Sequence, residues 1–166
     1  MLKAFLVAAL LMCAGPAYAA DPSRPQPALD PLDFFTGEVR GEGTIKVMMK
    51  PATSMRSEVK GTPDGKGGLI LDQKVHQASK PVRISRWVLR PTSKTTLTGT
   101  ATDSAGPIVG DLRGNRLHLK YKTKDGLAFE QWMYLQPDRR TMLNRITVRK
   151  WGMVVAKIDE TIRKVP

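Results

Sequence analysis

Phe129-Glu130-Gln131-Trp132-Met133-Tyr134-Leu135, then Gln136-Pro137-Asp138-Arg139-Arg140, then Thr141 to Trp151 decides how this chain folds. Apolar and polar residues alternate on both sides of a short polar turn, the pattern of a long β-hairpin. The hairpin holds two of the three tryptophans and one of the three tyrosines. Phe129, Gln131, Met133 and Leu135 share one face of its first strand, and Trp132 and Tyr134 share the other. Both faces carry apolar residues, so the pattern leaves open which one looks inward. On the return strand Asn144, Ile146 and Val148 alternate with Leu143, Arg145 and Thr147.

The same period of two runs through the rest of the chain. Val39, Gly41, Gly43, Ile45, Val47 and Met49 form one face of the first strand. Its two glycines imply a hard bend or a close approach of another backbone. Met55, Ser57 and Val59 continue the alternation up to a turn at Pro63-Asp64-Gly65. Leu69, Leu71 and Val75 follow, then Trp87 and Leu89, then Leu97, Gly99 and Ala101, then a short run from Ile108 to Leu112. Gly114-Asn115 is a hairpin turn. Leu117, Leu119 and Tyr121 alternate with Arg116, His118, Lys120 and Lys122. The last strand, Met153 to Lys164, presents Val154, Ala156, Ile158 and Ile162 on its inner face.

About ten strands at this spacing, with no helical stretch long enough for a crossover, predict an all-β antiparallel sheet. Such a sheet closes on itself to remove its edges, giving an up-and-down barrel of about 8–10 strands. Before it, Asp30-Pro31 is a helix-start signal, with Leu32, Phe34 and Phe35 behind it and Gly37 as a stop. One or two helical turns are expected there, a short N-terminal plug.

The first residues set the compartment. Met1-Leu2-Lys3, the apolar run Ala4 to Ala14, and Ala17-Tyr18-Ala19 match a secretory signal peptide cut after Ala19. Residues 1–19 are therefore read as the signal, 20–30 as a Pro-rich tether and 31–166 as one barrel domain, and the expected location is the periplasm. Cys13 is the only cysteine. Met12 before it is not small, so lipid attachment at Cys13 is the lesser reading. Without a thiol, the mature domain must stand on its core. The full chain's 27 Lys and Arg against 15 Asp and Glu give a net charge of +12. That excess suits anionic lipid or another polyanion, or a solvated outer face, and export sets nucleic acid aside.

The sequence carries few motifs of known chemistry. His76 and His118 lie far apart; His118 alternates with lysine and arginine on an outward face and His76 has no nearby carboxylate pair, so no metal site is expected. There is no G-x-S-x-G elbow, and Gly65-Lys66-Gly67-Gly68 lacks the spacing of a phosphate loop. No catalytic residue and no cofactor are expected. If the Trp132–Tyr134 face is inward, Trp87, Trp132, Tyr134, Asn144 and Arg145 would form an apolar pocket with one cation, suited to an acidic amphiphile. The plainer alternative is a filled core in which Arg145 pairs with an internal carboxylate such as Glu130. Arg139, Arg140, Arg149 and Lys150, with Arg145, make the hairpin strongly basic, a candidate membrane-surface contact or a solvated edge.

Several short stretches resemble one known family. They are Phe34-Phe35-x-Gly37 leading into Gly41-x-Gly43, Trp87, Thr98-Gly99-Thr100-Ala101, Gly106-x-x-x-Gly110 and Gly114-Asn115. Trp132-Met133-Tyr134-Leu135, Leu143-Asn144-Arg145 and Trp151-Gly152 are the most specific. Together they cover Leu32 to Arg163 and resemble an uncharacterised family of proteobacterial envelope proteins, domain-of-unknown-function family 3833. The resemblance implies a calycin-like barrel, similar in outline to lipocalins, and brings no reaction, substrate or catalytic residue. Many members look like lipoproteins, and this signal departs from that pattern. The leading expectation is a non-enzymatic periplasmic barrel that binds a lipid-like amphiphile and touches a membrane face. The alternatives are a lipid isomerase or hydrolase on the same barrel, and an envelope assembly factor with a filled core.

Overall fold

The computed structural model describes residues 26–166. The expected signal, its cut after Ala19, Cys13 and the first half of the tether lie outside the described residues. Asp30 caps a single helical turn, α1 (Pro31–Phe35), its side chain accepting from the amides of Leu32 and Asp33 at 2.9 and 3.3 Å. Pro31 at the first helical position needs no amide partner.

Ten strands follow: β1 (Gly37–Val47), β2 (Thr53–Pro63), β3 (Leu69–Gln77), β4 (Arg83–Pro91), β5 (Thr96–Ala101), β6 (Ile108–Arg113), β7 (Arg116–Lys122), β8 (Ala128–Leu135), β9 (Thr141–Lys150) and β10 (Met153–Lys164). Each pairs antiparallel with its neighbours in sequence, and β1 pairs with β10, so the sheet is a closed barrel without edges. Up-and-down connections need only short hairpins, and the spacing of turn residues in the sequence supplies them.

The barrel has two unlike ends. At one, α1 folds against β2 and buries Phe34 and Phe35, with Leu69, Leu97, Leu135, Met142 and Val39 packed beneath. Leu69 and Met142 are fully buried. At the other end lie the β1–β2, β3–β4, β5–β6, β7–β8 and β9–β10 connections. No helix covers it among the described residues.

Two details depart from the alternation. Met49 sits in the β1–β2 turn, not on β1, at φ 61° and 94 % exposed. Val154 is also outward, 38 % exposed, because the β9–β10 register shifts between Val154 and Ala156. A bulge of one residue reverses the side-chain parity before it, so Val155 rather than Val154 joins the interior.

On the outer wall His118 is 90 % covered in its side chain, held between carboxylates and a ring. Its Nδ1 is 2.9 Å from Asp111 Oδ2 and its Nε2 3.1 Å from Glu130 Oε1. The Trp132 ring stacks on it at 3.7 Å, and the Arg116 guanidinium lies 5.0 Å from the centroid of the indole ring. Burial pushes the Asp111 and Glu130 carboxyls up. Hydrogen bonding with His118 and Arg116 at Asp111, and with Arg149 and His118 at Glu130, outweighs it and holds both below the usual range.

A carboxyl depressed in the folded state stabilises the fold fully above its unfolded value. That contribution is lost as pH falls through the folded value. Denaturant melts between about pH 7 and 3 should therefore show stability falling at the acid end, with Glu130→Gln flattening that limb. An unchanged acid limb in Glu130→Gln would show that Glu130 contributes nothing to it.

Candidate functional site

Inside the open half of the barrel lies a cavity of ≈ 540 Å³. Small-molecule sites commonly measure about 300–1,000 Å³, so one modest ligand is accommodated. Its walls are apolar: Ile45, Val47, Met55, Val75, Leu127, Phe129, Ile146 and Val148. Lys80, Pro81 and Arg83 line it at the open end, where Arg83 pairs with Asp103. Trp87 also lines it, its Nε1 donating to Gln73 Oε1 at 3.1 Å and its ring edge-on to Tyr121 at 5.2 Å. Burial pushes the Tyr121 hydroxyl well above its ordinary range, so it stays a neutral phenol.

At mid-depth three polar side chains meet. Glu160, 7 % exposed, accepts from the Ser57 hydroxyl through Oε1 and from Asn144 Nδ2 at 3.0 Å through Oε2. The β1 glycines make this meeting possible. Ser57 on β2 stands opposite Gly41, and Glu160 on β10 stands opposite Gly43, on the two sides of β1. A Cβ at Gly41 would collide with both the Ser57 hydroxyl and the Glu160 carboxylate, and one at Gly43 with the Asp159 backbone. The two residues reach across β1 through the space that its missing side chains leave, which accounts for the close approach expected from the sequence.

The trio is rich in acceptors and poor in positive charge. No basic side chain pairs with Glu160 among the described residues. Asn144 Oδ1 is buried with no hydrogen-bond partner there. Gln131 and Gln73 add further amide groups to the wall. Leaving a buried acceptor unmet costs about 1–3 kcal/mol, which a ligand donor at that point would recover. An anionic head group at the same point would face the carboxylate with no cation to meet it.

Of the residues expected to form a pocket, Trp87 and Asn144 face the cavity. Trp132, Tyr134 and Arg145 do not. The inward face of β8 is Phe129, Gln131, Met133 and Leu135, all buried, and Trp132 stacks on the outer wall. Arg145 is outward with its side chain 80 % exposed, 3.2 Å from Asp159. Its pairing with an internal Glu130 is likewise corrected: Glu130 is on the outer wall with His118, Lys120 and Arg149.

The basic hairpin divides too. Arg139 and Arg140 are in the β8–β9 turn at the helix end, whereas Arg149 and Lys150 close β9 at the open end. The ten residues of β9 separate the pairs by roughly 30 Å, at about 3.3 Å per residue. Those four cations cannot act as one patch.

Alternation carries Ser57 on the same face as Met55 and Val59, but no motif marks it or Glu160 as part of a site. Glu160 has the parity of Ile158 and Ile162, so alternation alone places a carboxylate inside.

The family model for "Protein of unknown function (DUF3833)" matches residues 7–164. The chain belongs to this family. No curated protein matches it. Among solved structures it is similar to the S-type phycobiliprotein lyase CPES from Guillardia theta, at 9 % identity and a TM-score of 0.65, covering 81 % of this chain and 90 % of that one. It is also similar to Rv2717c from M. tuberculosis, at 17 % identity and a TM-score of 0.62, covering 83 % of this chain and 99 % of the other. These are calycin-like barrels, and at such identities the likeness is one of fold. This DUF3833 chain shares their closed all-β architecture.

Proposed function

We propose that this DUF3833 protein is a periplasmic, non-enzymatic carrier of a small lipid-like amphiphile, held in the open half of the barrel. The observation that supports this most is the Ser57–Glu160–Asn144 trio buried inside an apolar cavity open at one end. The polar part of the ligand is a hydrogen-bond donor, a hydroxyl, amide or amine, rather than a carboxylate. Donors meet Asn144 Oδ1 and Glu160, while the apolar body lies against Met55, Val75, Ile146 and Val148.

The test is native mass spectrometry on protein purified from its own periplasm, joined to displacement of a fluorescent apolar probe. A bound species of lipid mass is expected, and a long-chain alcohol should displace the probe better than the fatty acid of equal length. Arg145→Met, on the outer wall, should leave both results unchanged. A clean mass together with no displacement by either amphiphile would overturn the reading.

One observation favours a second reading, an enzyme acting on a lipid. Glu160 is a buried carboxylate next to Asn144, placed where it could take and return a proton on a bound substrate. Chemical change in a bound lipid during incubation, lost in Glu160→Gln with binding retained, would favour it over the carrier.

A further inference from the structure

Large apolar side chains are exposed unevenly over this barrel. Ten are exposed among the described residues, and eight of them sit at the open end or within two residues of it: Met48, Met49, Val82, Ile84, Val109, Trp151, Met153 and Val154. Met49 and Trp151, at 94 % and 85 % exposure, occupy the tips of the β1–β2 and β9–β10 hairpins. These hairpins are neighbours, since β1 pairs with β10 and the Met48 amide donates to the Val155 carbonyl at 2.9 Å.

Both tip residues also hold left-handed backbone, φ 61° at Met49 and 51° at Trp151. That conformation suits Gly, Asn or Asp, and a bulky apolar residue there is strained. A turn built only to reverse the chain would not need them. By contrast, the exposed large hydrophobics near the helix end among the described residues are Tyr134 and Leu143, a cross-strand pair on β8 and β9, and none is at a turn tip.

The same rim is basic. Lys46, Lys50, Lys80, Arg83, Lys124 and Lys150 surround it, against Asp103, which Arg83 pairs, and Asp125, which Thr123 engages. The Lys150 ammonium lies 5.0 Å from the centroid of the Trp151 ring. An indole beside a lysine matches the boundary of a bilayer, where the ring settles among head groups and the cation meets phosphate.

We infer that the open rim is a docking face for an anionic lipid bilayer, with Met49 and Trp151 inserting and Lys50, Lys80 and Lys150 meeting the phosphates. Docking in this orientation sets the cavity mouth against the membrane, so an amphiphile crosses into the barrel without meeting bulk water. This rests on the carrier reading for its purpose, not for its geometry.

The test is flotation with vesicles of phosphatidylglycerol and phosphatidylethanolamine, compared with phosphatidylcholine alone, at low and high salt. The wild-type protein should float with the anionic vesicles and lose binding as salt rises. Met49→Asp with Trp151→Asp should reduce binding about tenfold or more, as should Lys50→Glu with Lys150→Glu. Aspartate suits a left-handed turn, so the first pair should melt no lower than wild type. Arg139→Glu with Arg140→Glu, at the helix end, should bind vesicles nearly as well as wild type.

Failure of the wild type to float at low salt would overturn the proposal. So would loss of binding only in the Arg139 and Arg140 variant. A wild-type dimer that the aspartate pair converts to a monomer, without flotation by either, would instead make the rim a contact between two copies. Probe binding in solution, measured on the same variants, reports the cavity separately. Retained probe binding with lost flotation places the effect at the rim, and absent probe binding in wild type fails the carrier reading alone.

Discussion

Replacing Ser57→Ala, Asn144→Leu and Glu160→Met together is expected to stabilise the barrel by roughly 1–4 kcal/mol. The same change should weaken ligand binding by about 10- to 100-fold. The two effects have opposite signs because the trio is costly to bury. Glu160 is 7 % exposed and Asn144 4 %, yet no cation offsets the carboxylate and Asn144 Oδ1 is unpartnered among the described residues. Apolar groups of similar shape remove those costs at once.

The single change Glu160→Met should behave differently. It leaves the Ser57 hydroxyl and Asn144 Nδ2 without their acceptor, and should cost about 1–3 kcal/mol. Thermal and urea melts of the single and triple variants, with probe displacement on each, decide the matter. A triple variant less stable than wild type would mean that the trio holds the strands together and is not kept for a ligand.

Strand positions and most interior residues are legible in the sequence because a closed barrel imposes a strict period of two. Leu117, Leu119 and Tyr121 fall inside as their alternation with Arg116, His118 and Lys120 requires. The β8 face was not legible, for a physical reason. Trp132 covers His118 and meets Arg116 on the outer wall, so apolar surface is used on both sides of the strand. Once Asn144 and Ile146 are known to be inside, Arg145 between them must be outside, and its ion pair with Asp159 follows.

Alternation puts Val154 inside, wrongly, because a bulge leaves no mark on residue type. Glu160 was legible by parity, but a carboxylate between isoleucines looks like an interruption of the inner face. The trio itself depends on contacts across β1, and nothing in a linear pattern shows that Gly41 leaves room for them. Nor does it show that β9 carries Arg140 and Arg149 to opposite ends.

Truncations should separate the two halves of the barrel. Leu69→Ala and Met142→Ala, in fully buried positions away from the cavity, should each cost about 2–5 kcal/mol, because a new hole opens in dense packing. For a domain of this size that lowers Tm by roughly 10 °C. Val75→Ala and Ile146→Ala remove similar apolar atoms from the cavity wall, where space already exists on one side. The lost contacts there are fewer, and about 1 kcal/mol is the expected cost.

The ligand gives the contrast a second readout. Enlarging the cavity through Ile146→Ala should let the probe and longer amphiphiles bind at least as well as in wild type, while Leu69→Ala should leave their relative affinities unaltered. Equal costs at all four positions would show that the open half is packed as tightly as the helix end, and the filled-core alternative would then displace the carrier. The predicted inequality follows from how the sequence spends its large side chains. Phe34, Phe35, Leu69, Leu135 and Met142 fill the end that α1 covers, while Gly41, Gly43, Ser57 and Ala156 keep the middle of the barrel open.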